Sequence, residues 1–87
     1  MRVRVIGRVQ GVAFRAWTRD RALALSVRGW VRNNEDGTVA ALLVGPEAAV
    51  KALLAEMEHG PGGASVREVA AQPEEIFEPQ SGFHVVR

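Results

Sequence analysis

The stretch with the most evident chemical potential lies near the start of the chain and carries two glycines before an arginine. It reads Gly7-Arg8-Val9-Gln10-Gly11-Val12-Ala13-Phe14-Arg15. If a strand ends here and a helix begins, unpaired backbone N–H groups and the helix dipole together favour a bound anion. Glycine lets the backbone close around that anion, and the guanidinium of Arg15 matches phosphate oxygens. The segment predicts a phosphate or carboxylate site, although a plain strand-to-helix turn remains an alternative.

The same stretch does not match either of the common nucleotide-binding motifs. A P-loop would end in Gly-Lys-Ser/Thr, and a dinucleotide fingerprint would have the pattern Gly-x-Gly-x-x-Gly. Neither pattern occurs between residues 7 and 15. The anion that this segment could hold is therefore not predicted to be a nucleotide.

Asn33 is the second candidate because a side-chain amide offers a donor and an acceptor together, which suits holding a water molecule. It ends an alternating segment over residues 27–32 and has the parity of Val31. On a strand, that parity turns its amide toward the helix-covered face, close to the start of the first helix. The alternative is that Asn33 and Asn34 only shape the turn into Asp36-Gly37.

The remaining reactive side chains give weaker signals. The chain has no cysteine, which excludes disulfides, thiolate nucleophiles and cysteine-ligated metal centres. His59 and His84 lack partners at metal-ligand spacing; the first fits a helix C-terminus, and the second is expected to face outward from the sheet. Trp17 and Trp30 are expected to pack in the core and on a sheet face. We expect no metal site.

Arginine is concentrated in the first third of the chain. Residues 1–32 hold eight arginines and one acid, whereas residues 33–87 hold nine acids and three basic residues. The net charge is only +1. An anionic ligand should be drawn to whatever the first third builds, although the two halves could simply neutralise each other on the folded surface.

The composition is that of an ordinary globular domain, with 47% hydrophobic and 24% charged residues. The 87 residues suffice for one core and favour a single domain over residues 1–87. No apolar run approaches the ~20 residues of a spanning helix, and the opening Met1-Arg2-Val3-Arg4 is not typical of a signal peptide. We expect a cytoplasmic location.

Hydrophobic periodicity predicts the element order β-α-β-β-α-β with one small addition. Strands are expected up to Gly7, over residues 27–31, over 38–44, within 66–76 and over 83–86, and the fourth of them should be broken near Pro73. Helices are expected over residues 13–25 and 46–59, and Pro46 is expected to be the first helical residue of the second. In the first helix, the side chains expected to face the core are Phe14, Trp17, Ala22 and Leu25, and the charged Arg21 lies in the same arc. In the second helix they are Val50, Leu53, Leu54 and Met57. Two helices on one face of a four- to five-stranded, mixed, mainly antiparallel sheet form a ferredoxin-like α+β sandwich.

Two blocks of the sequence closely resemble the signature blocks of the acylphosphatase family. The first is the stretch 7–15, and the second is Gly29-Trp30-Val31-Arg32-Asn33 followed by Asp36-Gly37-Thr38-Val39. Their separation, the chain length and the later Gly45-Pro46 also match, so the resemblance covers nearly the whole chain. Ala13 departs from the glycine or other small residue that relatives often have, and the C-terminus lacks the tyrosine that some members carry.

The resemblance implies a fold, an activity and a set of site residues. It implies in-line attack of water on the carboxyl–phosphate mixed anhydride of an acyl phosphate, on a ferredoxin-like fold without metal or cofactor. It assigns Arg15 as the essential arginine and Asn33 as the residue that positions the water. The backbone of the phosphate-binding loop would be supplied by Arg8, Val9, Gln10, Gly11, Val12, Ala13 and Phe14. Inorganic phosphate would then be both product and competing ligand, and we expect a monomer.

Two other classes of function stay open at this point. The first is an RNA-binding module, because sheet-type binders present basic and aromatic side chains on an open face. Residues that could lie together on such a face are Arg2, Arg4, Arg28, Trp30 and Arg32. The aromatic run of those binders is absent and the net charge is nearly neutral, so we expect neither a nucleic-acid nor a membrane partner. The second is a regulatory domain that binds an anion without chemistry.

Overall fold

A computed structural model of the chain describes residues 1–75 and 80–86 and contains two helices and five strands. In chain order the elements are β1 (Arg2–Arg8), α1 (Phe14–Ala24), β2 (Arg28–Asn33), β3 (Val39–Val44), α2 (Glu47–His59), β4 (Ser65–Gln72) and β5 (Phe83–Val86). Both helices pack on one five-stranded sheet, and this confirms the ferredoxin-like α+β fold. Neither described helix combines the length and the apolar character needed to cross a membrane.

The sheet has the strand order β4-β1-β3-β2-β5, and all its pairs are antiparallel except β2 with β5. Strands β1 and β2 both run antiparallel to the strand between them, so their C-terminal ends lie at the same end of the sheet. Val39, at the start of β3, pairs with Val5 on one side and with Asn33 on the other. The loop after β1 and the end of β2 are therefore neighbours in space.

The hydrophobic core lies between the helices and one face of this sheet. Its sheet residues alternate along the strands, as the pleat requires. They are Val3, Val5, Val31, Val39, Ala41, Leu43 and Phe83, and the helices contribute Phe14, Ala22, Val50, Leu53 and Met57. The opposite face carries the arginines of β1 and β2 and is not covered by a helix. Gly29 keeps β2 close to β3, because a Cβ there would lie 1.8 Å from the carbonyl oxygen of Leu42.

The buried stripe of α1 differs from the expected one. Phe14, Thr18 and Ala22 are buried at i, i+4 and i+8, whereas Trp17 and Leu25 are only partly buried. A threonine is an unexpected core residue, and its Oγ1 has no hydrogen-bond partner in the described part of the chain. The expected misfit, Arg21, has its Nε 2.6 Å from Glu56 Oε1 and so links α1 to α2.

Most of the other element boundaries differ from expectation by one or two residues, and two of the differences involve a proline. Pro46 has ψ 143° and is the N-cap of α2, so the first helical residue is Glu47 and not the proline. An extended ψ at Pro46 places it just outside the helix. Strand β4 ends at Gln72, directly before Pro73, as a residue without an N–H group favours. Residues 73–75 are described and are not part of a strand, and only residue 76 of the expected segment lies outside the described residues. Leu54, expected in the stripe of α2, is partly buried.

Candidate active site

The loop between β1 and α1 leaves a run of backbone donors free. Gly11 has φ 75° and Ala13 has φ 59°, so the backbone twice enters the left-handed region within three residues. No backbone N–H from Gln10 to Ala16 donates a hydrogen bond to any group in the described ranges. These donors include those of the first turn of α1, where the helix dipole adds partial positive charge. Such a loop suits an anion with several acceptor oxygens.

A cavity of about 240 Å³ opens beside this loop. Its lining residues come from the loop, the first turns of α1, the end of β2 and the edge strand β5. They are Val9, Gly11, Ala13, Phe14, Arg15, Ala16, Arg19, Asn33 and Val85. Arg15 is the second residue of α1, and it has no ion pair or hydrogen bond to any side chain that the structure describes. Its charge is therefore free for a ligand in this cavity.

Asn33 reaches the cavity from the last position of β2. Its Oδ1 is buried and has no hydrogen-bond partner among the described residues. A buried amide oxygen without a partner costs about 1–3 kcal/mol. This cost is avoided when a ligand or a water molecule in the cavity supplies the missing donor. Asn33 therefore has the properties of a binding residue.

The turn after β2 is held by Asn34 rather than by Asn33. The Asn34 N–H donates to the Thr38 carbonyl at 2.8 Å, and its Nδ2 donates to Thr38 Oγ1 at 2.9 Å. The Thr38 hydroxyl and N–H both donate to Asp36 Oδ1, at 2.6 and 3.0 Å. These bonds, and then the Arg4 guanidinium 2.6 Å from Asp36 Oδ2, lower the pKa of Asp36. Asn34 therefore shapes the turn, whereas the side-chain oxygen of Asn33 takes no part in it.

Gln10 joins the loop to this turn. Its Nε2 donates to the Asn34 carbonyl at 2.8 Å and to the Thr38 carbonyl at 2.9 Å. Both acceptors lie within five residues of Asn33 along the chain. The loop and the end of β2 are consequently held at a fixed separation by one side chain.

The structure thus brings together most, but not all, of the site residues expected from the sequence. Arg15 and Asn33 line one cavity with Val9, Gly11, Ala13 and Phe14, whereas Arg8, Gln10 and Val12 are not among its lining residues. Arg8 is the last residue of β1, pairs with Ser65 of β4 and borders a different cleft.

Three lining residues were not expected from the sequence, and one of them, Arg19, carried a detectable signal. Arg19 follows Arg15 by one helical turn, the spacing that places two side chains on the same helix face. Ala16 lies between these two arginines in the chain. Val85 is brought in by the pairing of β5 with β2, where it stands opposite Val31. That pairing is a tertiary contact that no local pattern reveals.

The weaker candidates lie away from this cavity. His59 ends α2, and His84 is exposed with Nε2 2.7 Å from the Ser81 carbonyl oxygen. Trp17 contacts Phe14 with ring centroids 5.5 Å apart, and Trp30 lies on the sheet. Within residues 1–75 and 80–86, no group of three His, Cys, Asp or Glu side chains is arranged to hold a metal ion.

The open face of the sheet has a cleft of about 410 Å³ bordered by Arg2, Arg4 and Arg32. The first two are paired, Arg2 with Glu74 at 3.2 Å and Arg4 with Asp36 at 2.6 Å. The Arg32 guanidinium lies 5.1 Å from the centre of the Trp30 ring and covers it. Trp30 is therefore covered by Arg32 and is not open for a base to stack on it, so this face does not favour the nucleic-acid alternative.

Comparisons with known proteins agree on one family. A family model described as Acylphosphatase matches residues 1–85. An acylphosphatase of Sinorhizobium medicae (strain WSM419) is 48% identical over 85 residues, covering 98% of this chain and 90% of the relative. The crystal structure of an acylphosphatase from Bacillus subtilis superimposes with a TM-score of 0.94 at 32% identity, over 99% of this chain and 96% of that one. Full-length HypF, solved in a phosphate- and nucleotide-bound form, contains a similar unit: its TM-score is 0.88 at 26% identity, over 99% of this chain and 11% of HypF.

Proposed function

This chain belongs to the acylphosphatase family and is a hydrolase of acyl phosphates, and we propose that it performs the reaction in the cavity between α1 and the end of β2. One observation carries the proposal. The Arg15 guanidinium, the N–H groups of the loop and the buried Asn33 amide oxygen have no partner among residues 1–75 and 80–86, and all three border the same 240 Å³ space. We propose Arg15 and Asn33 as the catalytic residues.

The phosphoryl group of the substrate would be held by the loop and Arg15. Backbone N–H groups of residues 8–14 donate to its oxygens, and the guanidinium of Arg15 forms charge-assisted hydrogen bonds with them. Phosphoryl transfer depends mainly on positioning and on stabilising charge at these oxygens. The N–H groups from Gln10 to Phe14 and the Arg15 guanidinium have no other partner among the described residues, so they are available to supply both. The same groups would bind inorganic phosphate, the product, as a competing ligand.

Asn33 would hold the attacking water. Its Oδ1 accepts a hydrogen bond from that water, and this satisfies the oxygen that the described residues leave unpaired. The side chain reaches the cavity from β2, across from the α1 start that presents Arg15. A water placed there attacks the phosphorus from the side opposite the leaving carboxylate, as in-line displacement requires.

The reaction needs few ionisable groups because its leaving group is a carboxylate. Carboxylic acids have a pKa of about 4–5, so no general acid is needed to protonate the departing oxygen. The proton of the attacking water passes to an oxygen of the substrate phosphate. This chemistry requires neither a metal ion nor a cofactor, and we propose that the enzyme works without either.

The remaining proposals concern the domain, the oligomeric state, the location and the partners. We propose that residues 1–87 act as one domain and as a monomer. We propose a cytoplasmic enzyme whose partners are small acyl phosphates and not nucleic acid or a membrane.

Hydrolysis of benzoyl phosphate by the purified chain in the presence of EDTA tests the proposal. We expect release of benzoate and phosphate that EDTA does not slow, and competitive inhibition by inorganic phosphate. Absence of turnover would contradict the proposed reaction. Turnover that appears only after a divalent metal is added would contradict the metal-free mechanism.

A further inference from the structure

A second arginine borders the candidate active site without a role in the proposed mechanism. Arg19 lines the same cavity as Arg15, and both residues belong to α1. They are four residues apart, which on a helix places their Cβ atoms roughly 6 Å from each other on one face. The cavity is therefore lined by two arginines whose side chains begin about one helical turn apart on α1.

The side chain of Arg19 is available to a ligand. Its contact is with Asp20, whose Oδ1 lies 3.4 Å from both Nε and Nη2 of Arg19. Adjacent residues on a helix do not face each other, and both side chains are well exposed, at 43% and 68%. An exposed ion pair of this kind is readily broken. By contrast, the Nε of Arg21 lies 2.6 Å from Glu56 Oε1, so the side chain of Arg21 is held against α2 and that of Arg19 is not.

The wall near the two guanidinium groups suits the carbon skeleton of an acyl group. Ala16 and Val85 line the cavity with small apolar side chains. The volume of about 240 Å³ is below that of a typical drug-sized pocket and favours a small acyl group. A substrate whose phosphate lies at Arg15 would extend its acyl group past these residues toward Arg19.

We propose that Arg19 makes the enzyme selective for acyl phosphates whose acyl group carries a second anionic group, either a carboxylate or a phosphate. This inference rests on the proposed function and names the substrate class of the same site. The phosphoryl group occupies Arg15 and the loop, the hydrocarbon lies against Ala16 and Val85, and the second anion pairs with Arg19. An uncharged acyl group leaves Arg19 with water and Asp20 only.

Substituted benzoyl phosphates test the inference, because a rigid ring cannot fold its substituent back onto the phosphate. The charged substrates are 4-carboxybenzoyl phosphate and 4-phosphonobenzoyl phosphate, and the neutral one of similar shape is 4-carbamoylbenzoyl phosphate. The quantity measured is the ratio of kcat/KM for each charged substrate to kcat/KM for the neutral one. This ratio cancels any general loss of activity that a substitution causes.

We expect the unaltered enzyme to prefer at least one charged substrate by roughly tenfold, and Arg19→Gln to bring that ratio near one, chiefly through KM. Arg28→Gln removes an equal charge from the opposite face of the sheet and should leave the ratio unchanged. Asp20→Asn removes the competing carboxylate and should raise the ratio. Preference for the carboxylate or for the phosphonate identifies which second anion is used.

The possible failures are distinguishable. Equal ratios in the unaltered enzyme and in Arg19→Gln would overturn the role of Arg19 while leaving the hydrolase proposal intact. A ratio that falls equally in Arg28→Gln would assign the preference to overall charge and would also overturn it. Hydrolysis of none of the three substrates would contradict the proposed function itself.

Discussion

The side-chain amide of Gln10 donates a hydrogen bond to the backbone carbonyl of Asn34 at 2.8 Å, across 24 positions of the chain. The same nitrogen donates to the Thr38 carbonyl at 2.9 Å. One end of this contact is the proposed phosphate-binding loop, and the other is the turn that directly follows Asn33. The relative position of the phosphate and the attacking water would therefore depend on the Gln10 side chain, which contacts neither of them.

Replacing Gln10 with methionine tests this positioning role. Methionine has a similar length but cannot donate to the two carbonyl groups, so the loop and the turn lose their link. We expect kcat for benzoyl phosphate to fall about tenfold, with a smaller change in KM, because misalignment raises the barrier more than it weakens binding. Recovery of the rate in Gln10→Lys, which restores a donor, would support the role. An unchanged kcat in Gln10→Met would contradict it.

Ala13 holds backbone strain at the start of α1. Its φ of 59° lies in the left-handed region, where a Cβ is unfavourable and glycine is not. We expect Ala13→Gly to raise the free energy of unfolding by about 0.5–1 kcal/mol in urea titrations. Ala52→Gly makes the same change at an exposed helical position of α2 and should lower it by about 1 kcal/mol. A loss of stability in both variants would contradict the strain at Ala13.

Asp36 should stabilise the turn after β2 in a pH-dependent way. Its pKa in the folded protein is lowered, first by the hydroxyl and N–H of Thr38 and then by Arg4. The unfolded chain therefore binds this proton more readily, so the contribution is complete above a pH of about 4 and is lost as the pH falls through the lower folded pKa. The difference in unfolding temperature between the unaltered protein and Asp36→Asn should be larger at neutral pH than near pH 3. A difference that does not vary with pH would contradict this.

Asn33→Ala separates the binding of phosphate from the positioning of water. We expect kcat to fall about 10²-fold, because the water loses its acceptor, while phosphate contacts at Arg15 and the loop remain. Inorganic phosphate should still raise the unfolding temperature of the variant as it does for the unaltered protein. Loss of that protection would place Asn33 in phosphate binding instead. The neighbouring Asn34→Ala serves as a control that affects the turn itself.

The sequence was sufficient to predict the fold and to predict that Arg15 and Asn33 lie close together, as they do in lining one cavity. The alternation of residues along β2 predicted that Asn33 faces the helices, and the strand–loop–helix order predicted that Arg15 lies at the start of α1. Thr18 was missed because its polar hydroxyl argues against the core position that it occupies. The link from Gln10 to the turn could not be predicted, since long-range hydrogen bonds depend on how β1 and β2 lie beside β3. The spacing of four residues from Arg15 places Arg19 on the same face of α1. That this face borders a cavity is visible only in the structure.

The central claim is that Arg15 binds the phosphoryl group beside the loop, and one comparison tests it most directly. We would measure kcat/KM for benzoyl phosphate in Arg15→Gln and in Arg28→Gln, which removes the same charge from the open sheet face. The account predicts a loss of at least ~10²-fold in Arg15→Gln, with an unchanged unfolding temperature in the absence of phosphate, and near-normal turnover in Arg28→Gln. Equal turnover in the two variants would contradict it.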